Sequence, residues 1–339
     1  MIVEMRTGAT QKEINGVAQR AKSLGMDVQM NLGTDKTVVA ILGGNTGKLA
    51  TDVFAILPGV VSVTRIMKPY KLSSREFHNQ SSVVEINGIK IGENQPIVVM
   101  AGPCAVESEA QLKKAADIVK TAGARILRGG AFKPRTSPFS FQGLKEKGLE
   151  LLGRVRKEYG MPVISEVTDT QEVDIMAQYC DILQVGSRNM QNFVLLSAVG
   201  KTKCPIVLKR GFSCTVTEWL TAADYILAEG NNQVILCERG IRTFEDSTRF
   251  SLDISSIPVL KKASHLPVIV DPSHAAGHFA LVPALAKAAI AAGADGLLIE
   301  VHPNPKEALV DGLQSLTPSD FSRLMKELKP IAASVGRSI

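Results

Sequence analysis

The chain has 339 residues, 45% hydrophobic and 21% charged, which excludes a disordered or fibrous protein and leaves room for a barrel plus a small companion domain. Its formal net charge of +6 can draw in anionic substrates, yet no long basic block, zinc-finger spacing or basic–aromatic interleaving points to nucleic acid. Five cysteines without a CxxC pair, no leader-like N-terminal pattern and no apolar run of membrane-spanning length set the expectation of a cytoplasmic protein that binds no membrane.

Residues 1–68 read as βαββαβ. Ile2-Val3 open a strand, and Thr10 with Glu13 forms a capping box. Ile14, Val17, Ala21 and Leu24 then share a helical face. Val28 and Met30 alternate, and Lys36 to Leu42 is a β-branched run. Asn45-Thr46 caps a second helix bearing Leu49, Val53, Phe54 and Leu57, and Pro58-Gly59 stops it before a strand from Val60 to Met67. This order suits a ferredoxin-like (ACT-like) layer with a regulatory or assembly role and no catalysis. Residues 69–95 are a polar linker followed by a hairpin, VVEINGIKI, whose Asn87-Gly88 favours a type I′ turn.

From residue 96 to 339, short apolar runs alternate with amphipathic helices. The runs are Ile97 to Ala101, Arg125 to Leu127, Pro162 to Ile164, Ile182 to Val185, Pro205 to Leu208, Gln233 to Leu236, Val268 to Val270 and Gly296 to Ile299. Eight such units in about 240 residues predict an α/β fold, a (β/α)8 TIM barrel. Ser108 with Gln111, Thr215 with Glu218, and Thr317 with Asp320 mark helix starts, and Trp219 reads as core.

Polar residues follow every run: Cys104, Arg128, Glu166, Gln184 with Arg188, Lys209-Arg210, Glu238-Arg239, Asp271 with His274, and Glu300 with His302. A parallel barrel gathers all these ends on one rim, where barrel enzymes do their chemistry. Any one of them fits a surface ion pair; eight of eight do not. The rim holds more cations than acids, so the substrate is expected to bring more than one anionic group. The segment LRGGAFKPRTSP at 127–138 adds glycine-exposed N–H groups and hydroxyl donors to Lys133 and Arg135. Cys104, His274 and Glu300, with Asp311 on the loop before the final helix, form a mixed sulfur, nitrogen and oxygen donor set. Such a set suits a borderline divalent ion such as Mn, Fe, Co or Zn. The other cysteines read as small hydrophobes.

These motifs resemble the 3-deoxy-D-arabino-heptulosonate 7-phosphate (DAHP) synthases, in the subgroup that is also similar to the 3-deoxy-D-manno-octulosonate 8-phosphate synthases. The resemblance runs over essentially the whole chain. It is carried by AGPCAVES (101–108), LRGGAFKPRTSPFSFQG (127–143), QVGSRNMQNF (184–193), LKRG (208–211), CERGIRTF (237–244), DPSHAAG (271–277) and EVHPNP (300–305). KPRTS at 133–137 looks like the heptulosonate enzymes, whereas the octulosonate enzymes carry a KANRTS-like block.

The resemblance implies metal ligands at Cys104, His274, Glu300 and Asp311, with one divalent ion per subunit. It implies phosphoenolpyruvate contacts at Arg128, Lys133, Arg188, Lys209 and Arg239, alongside Gln184 and Ser187. It implies an aldose-phosphate site at Arg135-Thr136. Ser187 departs from the alanine of many relatives and adds a hydroxyl beside the anion site. The implied reaction condenses phosphoenolpyruvate with D-erythrose 4-phosphate and water, the first step of the shikimate pathway. The implied proton-transfer residues are Lys133, Glu166 and His274. The alternative aldose is D-arabinose 5-phosphate. A Schiff-base aldolase using Lys209 and a non-enzymatic sugar-phosphate sensor are weaker readings. The resemblance also implies a homotetramer and a tyrosine or phenylalanine effector at the first domain.

Overall fold

The computed structural model describes residues 1–32, 37–43, 46, 49–65, 68–135 and 137–339. They form two compact units: Met1–Gln80 with Ala263–His265, and Ser81–Lys262 with Leu266–Ile339.

The first unit runs β1 (Ile2–Met5), α1 (Gln11–Ser23), β2 (Asp27–Leu32), β3 (Thr37–Leu42), α2 (Asp52–Ala55) and β4 (Val60–Thr64). Its antiparallel sheet has the order β2-β3-β1-β4. Helix α1 starts where the capping box fixes it: the Glu13 N–H donates to Thr10 Oγ1 at 3.3 Å and the Thr10 N–H to Glu13 Oε2 at 2.7 Å. Its buried face, Ile14, Val17 and Ala21, packs on Val3, Met5, Val39, Ile41 and Phe54.

The second helix is shorter than its apolar spacing predicts. It makes a single turn, and Thr46 Oγ1 donates to the Gly43 carbonyl at 3.2 Å instead of capping it. Three glycines between residues 43 and 47 and the Pro58-Gly59 stop leave too little helix-favouring chain. Asn45 and Lys36 lie outside the described residues, as does the Ile66-Met67 end of the expected last strand.

In the second unit a hairpin, β5 (Val83–Ile86) and β6 (Ile89–Gly92), turns at Asn87 and Gly88, with φ of 48° and 80°, the positive pair that a type I′ turn requires. Its apolar residues Val84, Ile86, Ile89 and Ile91 share one buried cluster with Val98, Ile126, Ile182 and Val207. The hairpin thereby closes the barrel at the end where the strands begin.

The barrel strands are β7 (Val98–Gly102), β8 (Ile126–Arg128), β9 (Val163–Val167), β10 (Ile182–Val185), β11 (Ile206–Lys209), β12 (Val234–Glu238), β13 (Val268–Val270) and β14 (Gly296–Glu300). They pair in parallel as a closed barrel, β14 joining β7. Several expected runs shift toward the rim by a residue or more. Pro162 and Pro205 have no N–H for a ladder, so their strands start later. At the far end Arg128, Lys209, Glu238 and Glu300 each occupy a strand's last position, where a polar side chain reaches the rim while its backbone still pairs. Trp219 is fully buried, and its indole N–H donates to the Leu208 carbonyl at 3.2 Å, which makes it core. No helix among the described residues is long and apolar enough to cross a membrane.

Candidate active site and metal centre

Four side chains from distant parts of the chain meet at one point of the rim. Ligand atoms of Cys104, His274, Glu300 and Asp311 all lie within 4.8 Å of one another. Cys104 follows a tight exit from β7: Gly102 has φ 151°, and a Cβ there would sit 2.2 Å from the Arg128 carbonyl oxygen. His274 rides a one-turn helix, Pro272–Ala276, capped by Asp271, whose carboxylate accepts the His274 N–H at 2.9 Å. Asp311 adopts a left-handed conformation, φ 53°, unusual for a non-glycine and sited where a donor set needs its carboxylate.

The separations are short. His274 Nε2 is 3.4 Å from Glu300 Oε1 and 3.9 Å from Asp311 Oδ2, and the Cys104 thiol is 3.4 Å from the same Asp311 oxygen. Burial pushes the Cys104 thiol up to about 12, and the Glu300 carboxylate adds to that rise. Burial also disfavours the Asp311 carboxylate, but the neighbouring His274, Arg249 and Lys133 outweigh it and hold the group at about 2. Burial lowers His274, against the pull of Asp271. In their ligating forms the two carboxylates and the thiolate carry like charge and the imidazole is neutral, so a cation among them would relieve their repulsion. The donor set fits a borderline divalent ion.

A second layer holds these donors. Asp271 Oδ2 lies 2.7 Å from His274 Nδ1, which turns Nε2 toward the centre. Lys209 Nζ pairs with that same oxygen. Arg128 donates to Glu300 Oε1 at 2.7 Å, and Gln314 donates to Glu300 Oε2 at 2.7 Å. Arg128 and Lys209, expected at the phosphoenolpyruvate contacts, are thus buried, each in an ion pair with a carboxylate of this layer. Gln184 is likewise engaged, donating to Glu166 Oε2 at 3.2 Å. His302 lies outside the donor set, with Nε2 3.3 Å from Glu107 Oε2.

Above the donor set opens a cavity of about 590 Å³. Among the described residues, Lys133, Arg135, Arg188, Arg239, Arg242 and Arg249 line it, against Glu166 and Asp311 as acids. Lys133 Nζ sits 3.1 Å from Cys104 Sγ and donates to the Cys104 carbonyl at 3.1 Å. Phe212 and Phe250 stack at 5.1 Å, and the Arg239 guanidinium lies 4.0 Å from the Phe250 ring centroid. Arg188 and Arg242 sit over Phe212 at 5.5 and 5.8 Å. Burial lowers Arg239 to about 10, despite Asp271. Arg135 Nη1, Arg239 Nη1 and Ser187 Oγ are buried without a hydrogen-bond partner among the described residues. Buried donors are ordinarily satisfied, so the Arg135 and Arg239 orphans in the wall of this cavity mark where an anion's oxygens belong, while Ser187 lines a neighbouring pocket that shares Arg188 and Phe212. Thr136 lies outside the described residues. Sequence reasoning missed Phe212, Phe250, Arg249 and Gln314, whose roles follow from loop convergence alone.

Comparison with known proteins identifies the family. The family model described as the DAHP synthetase I family matches residues 71–334, and that of the DAHP synthase ferredoxin-like domain matches residues 1–68. The chain belongs to the DAHP synthetase I family. It is a DAHP-forming enzyme with the ferredoxin-like domain of that family. It is 47% identical over 336 residues to the phospho-2-dehydro-3-deoxyheptonate aldolase of Thermotoga maritima, 99% of either chain. The crystal structure of the Thermotoga maritima DAHP synthase superposes with a TM-score of 0.79 at 46% identity, covering 99% of this chain and 98% of that one. The 2-dehydro-3-deoxyphosphooctonate aldolase of Geobacter sulfurreducens is 33% identical over 270 residues, 74% of this chain and 98% of that enzyme.

Proposed function

We propose that Cys104, His274, Glu300 and Asp311 hold one divalent ion per subunit (Mn, Fe, Co or Zn) and that the enzyme condenses phosphoenolpyruvate with D-erythrose 4-phosphate. The observation carrying this reading is the convergence of those four donors below a cavity of six cations. When bound, the ion supplies Lewis acidity toward the aldehyde of the aldose.

The protein's own groups then have distinct tasks. Arg188, Arg239 and the Ser187 hydroxyl restrain the carboxylate and phosphate of phosphoenolpyruvate, which directs its methylene carbon at the aldehyde carbon. Arg135 and Thr136 take the aldose phosphate. Arg128 and Lys209 act from beneath, fixing Glu300 and Asp271 and adding positive field to the anion site. The new C–C bond leaves an alkoxide, and the Lys133 ammonium, 3.1 Å from Cys104 Sγ and in the cavity wall, is its proton donor. Burial works against that ammonium, but Cys104 and Glu166 raise it overall, so it stays protonated. Glu166, at the cavity wall, accepts a proton from the water that adds to the enol carbon; the C–O bond to phosphate then breaks and phosphate departs. His274, with Nδ1 committed to Asp271, is a ligand first and a proton relay second. The proposal further includes a tyrosine or phenylalanine effector at the ferredoxin-like unit, a homotetramer and a cytoplasmic location.

The test is phosphate release by metal-stripped and metal-reconstituted protein, given phosphoenolpyruvate with either erythrose 4-phosphate or arabinose 5-phosphate, with and without Tyr and Phe. Metal-dependent turnover preferring erythrose 4-phosphate supports the proposal. Preference for the five-carbon aldose replaces it with the octulosonate reaction, and full turnover without metal removes the ion from the account.

A further inference from the structure

We propose that Arg249 and Gln314 form a positioning relay that sets the two carboxylates among the four donors, Glu300 and Asp311, and thereby the metal affinity of the centre. This inference rests on the metal-centre reading above. Arg249 Nη1 donates to Gln314 Oε1 at 2.8 Å and lies 3.4 Å from Asp311 Oδ1. The Gln314 amide nitrogen donates to Glu300 Oε2 at 2.7 Å. One guanidinium therefore reaches Asp311 directly and Glu300 through a single amide.

The chemistry fixes the direction of this chain. A carboxylate can only accept, so the Gln314 NH2 must face Glu300 and its oxygen must face a donor, which Arg249 supplies. Gln314 is 2% exposed, so its amide could not turn to water without losing both bonds. Asp311 and Gln314 also belong to one turn: the Gln314 N–H donates to the Asp311 carbonyl at 3.2 Å. Gripping Gln314 therefore steadies the left-handed Asp311 backbone as well.

Arg249 is itself seated by the His274 segment. Its N–H donates to the Ala276 carbonyl at 3.3 Å, and a Cβ on Gly277 would come within 2.5 Å of Arg249 Cβ. The loop after β12 is thus locked to the short helix that carries His274. Through Arg249 it reaches both acidic donors. Glu300 is held on its other oxygen by Arg128 at 2.7 Å, so the relay completes a two-sided grip. Outer partners of metal ligands typically change affinity by about 10–100-fold when removed.

The experiment is a cobalt(II) titration of the full chain, read by the sulfur-to-metal charge-transfer band that a Cys104 thiolate gives. Wild type is compared with Arg249→Ala, Arg249→Lys, Gln314→Met and the Arg249→Ala/Gln314→Met double variant. Each is first melted in EDTA to show an intact fold. The relay predicts roughly tenfold weaker cobalt binding in Arg249→Ala and in Gln314→Met. It predicts partial recovery in Arg249→Lys, whose ammonium can still reach the amide oxygen. It also predicts a double variant weakened by less than the product of the two single losses, because both changes cut the Arg249–Gln314 bond that the relay shares. Single variants within twofold of wild type, or a double variant showing the product of the two losses, overturn the relay. Should Gln314→Met fail to fold, the Ala/Lys pair at Arg249 decides, since equal affinities there contradict it. Absence of the charge-transfer band in wild type would instead overturn the metal-centre reading, and the relay with it.

Discussion

Replacing Lys209 with Met tests how the rim is held. Lys209 and Asp271 are 4% and 1% exposed at their side chains and ion-paired, and Asp271 orients His274. Removing the ammonium strands a buried carboxylate. Breaking a buried pair from one side costs about 3–5 kcal/mol. His274 lies 2.7 Å from the same Asp271 oxygen and offsets part of this by taking up a proton, which puts the expectation near the lower end. At about 2–4 °C per kcal/mol for a domain of this size, the barrel transition should fall by roughly 6–12 °C. Calorimetry in EDTA reads this without a contribution from metal. The Lys209→Met/Asp271→Asn double variant should melt above Lys209→Met alone, because it removes the stranded charge. A single-variant change under about 2 °C, or a double variant melting at the sum of two separate losses, would refute the reasoning.

Gly102→Ala places a Cβ 2.2 Å from the Arg128 carbonyl oxygen and should cost about 1–3 kcal/mol in a denaturant titration while loosening metal retention through Cys104. Cys104→Ala should nearly abolish turnover. By equilibrium dialysis it should lose more metal affinity than the roughly 10–100-fold given by an outer partner. In the first unit, burial holds His265 at about 4, against its hydrogen bond to the Leu72 carbonyl at 2.8 Å. The folded imidazole thus binds a proton less readily than the unfolded one. Stability is full above about pH 6.5 and is lost as pH falls toward 4, by about 3 kcal/mol, and the loss should be absent in His265→Gln. A melting curve of that unit as steep between pH 6.5 and 4 in the variant as in wild type contradicts this.

The barrel was legible because its signal is local and repeated: apolar runs, then Ser108, Thr215 and Thr317 accepting first-turn N–H groups in the structure. The metal candidates were legible for another reason. A parallel barrel turns eight separate strand ends into neighbours, so Cys104 and Glu300 meet although 196 positions separate them, since β7 and β14 pair with Gly102 opposite Glu300. What sequence could not supply is how each cation of the rim is partnered. Arg128 and Arg188 look alike as residues after apolar runs. Yet one lies buried on Glu300, and the other is exposed over Phe212. Arg249 and Gln314 carry no motif of their own; their pairing depends on two loop paths 65 positions apart. The second helix of the first unit is shorter than its apolar spacing implies because glycines at 43, 44 and 47 interrupt the stretch before it.

The most direct measurement is anomalous diffraction from crystals of the enzyme soaked in manganese, collected on either side of the metal edge. One peak should stand at about 2.0–2.4 Å from Cys104 Sγ, His274 Nε2 and an oxygen each of Glu300 and Asp311. A peak elsewhere on the chain, or none in crystals of protein that turns over fully after chelation, would contradict the account.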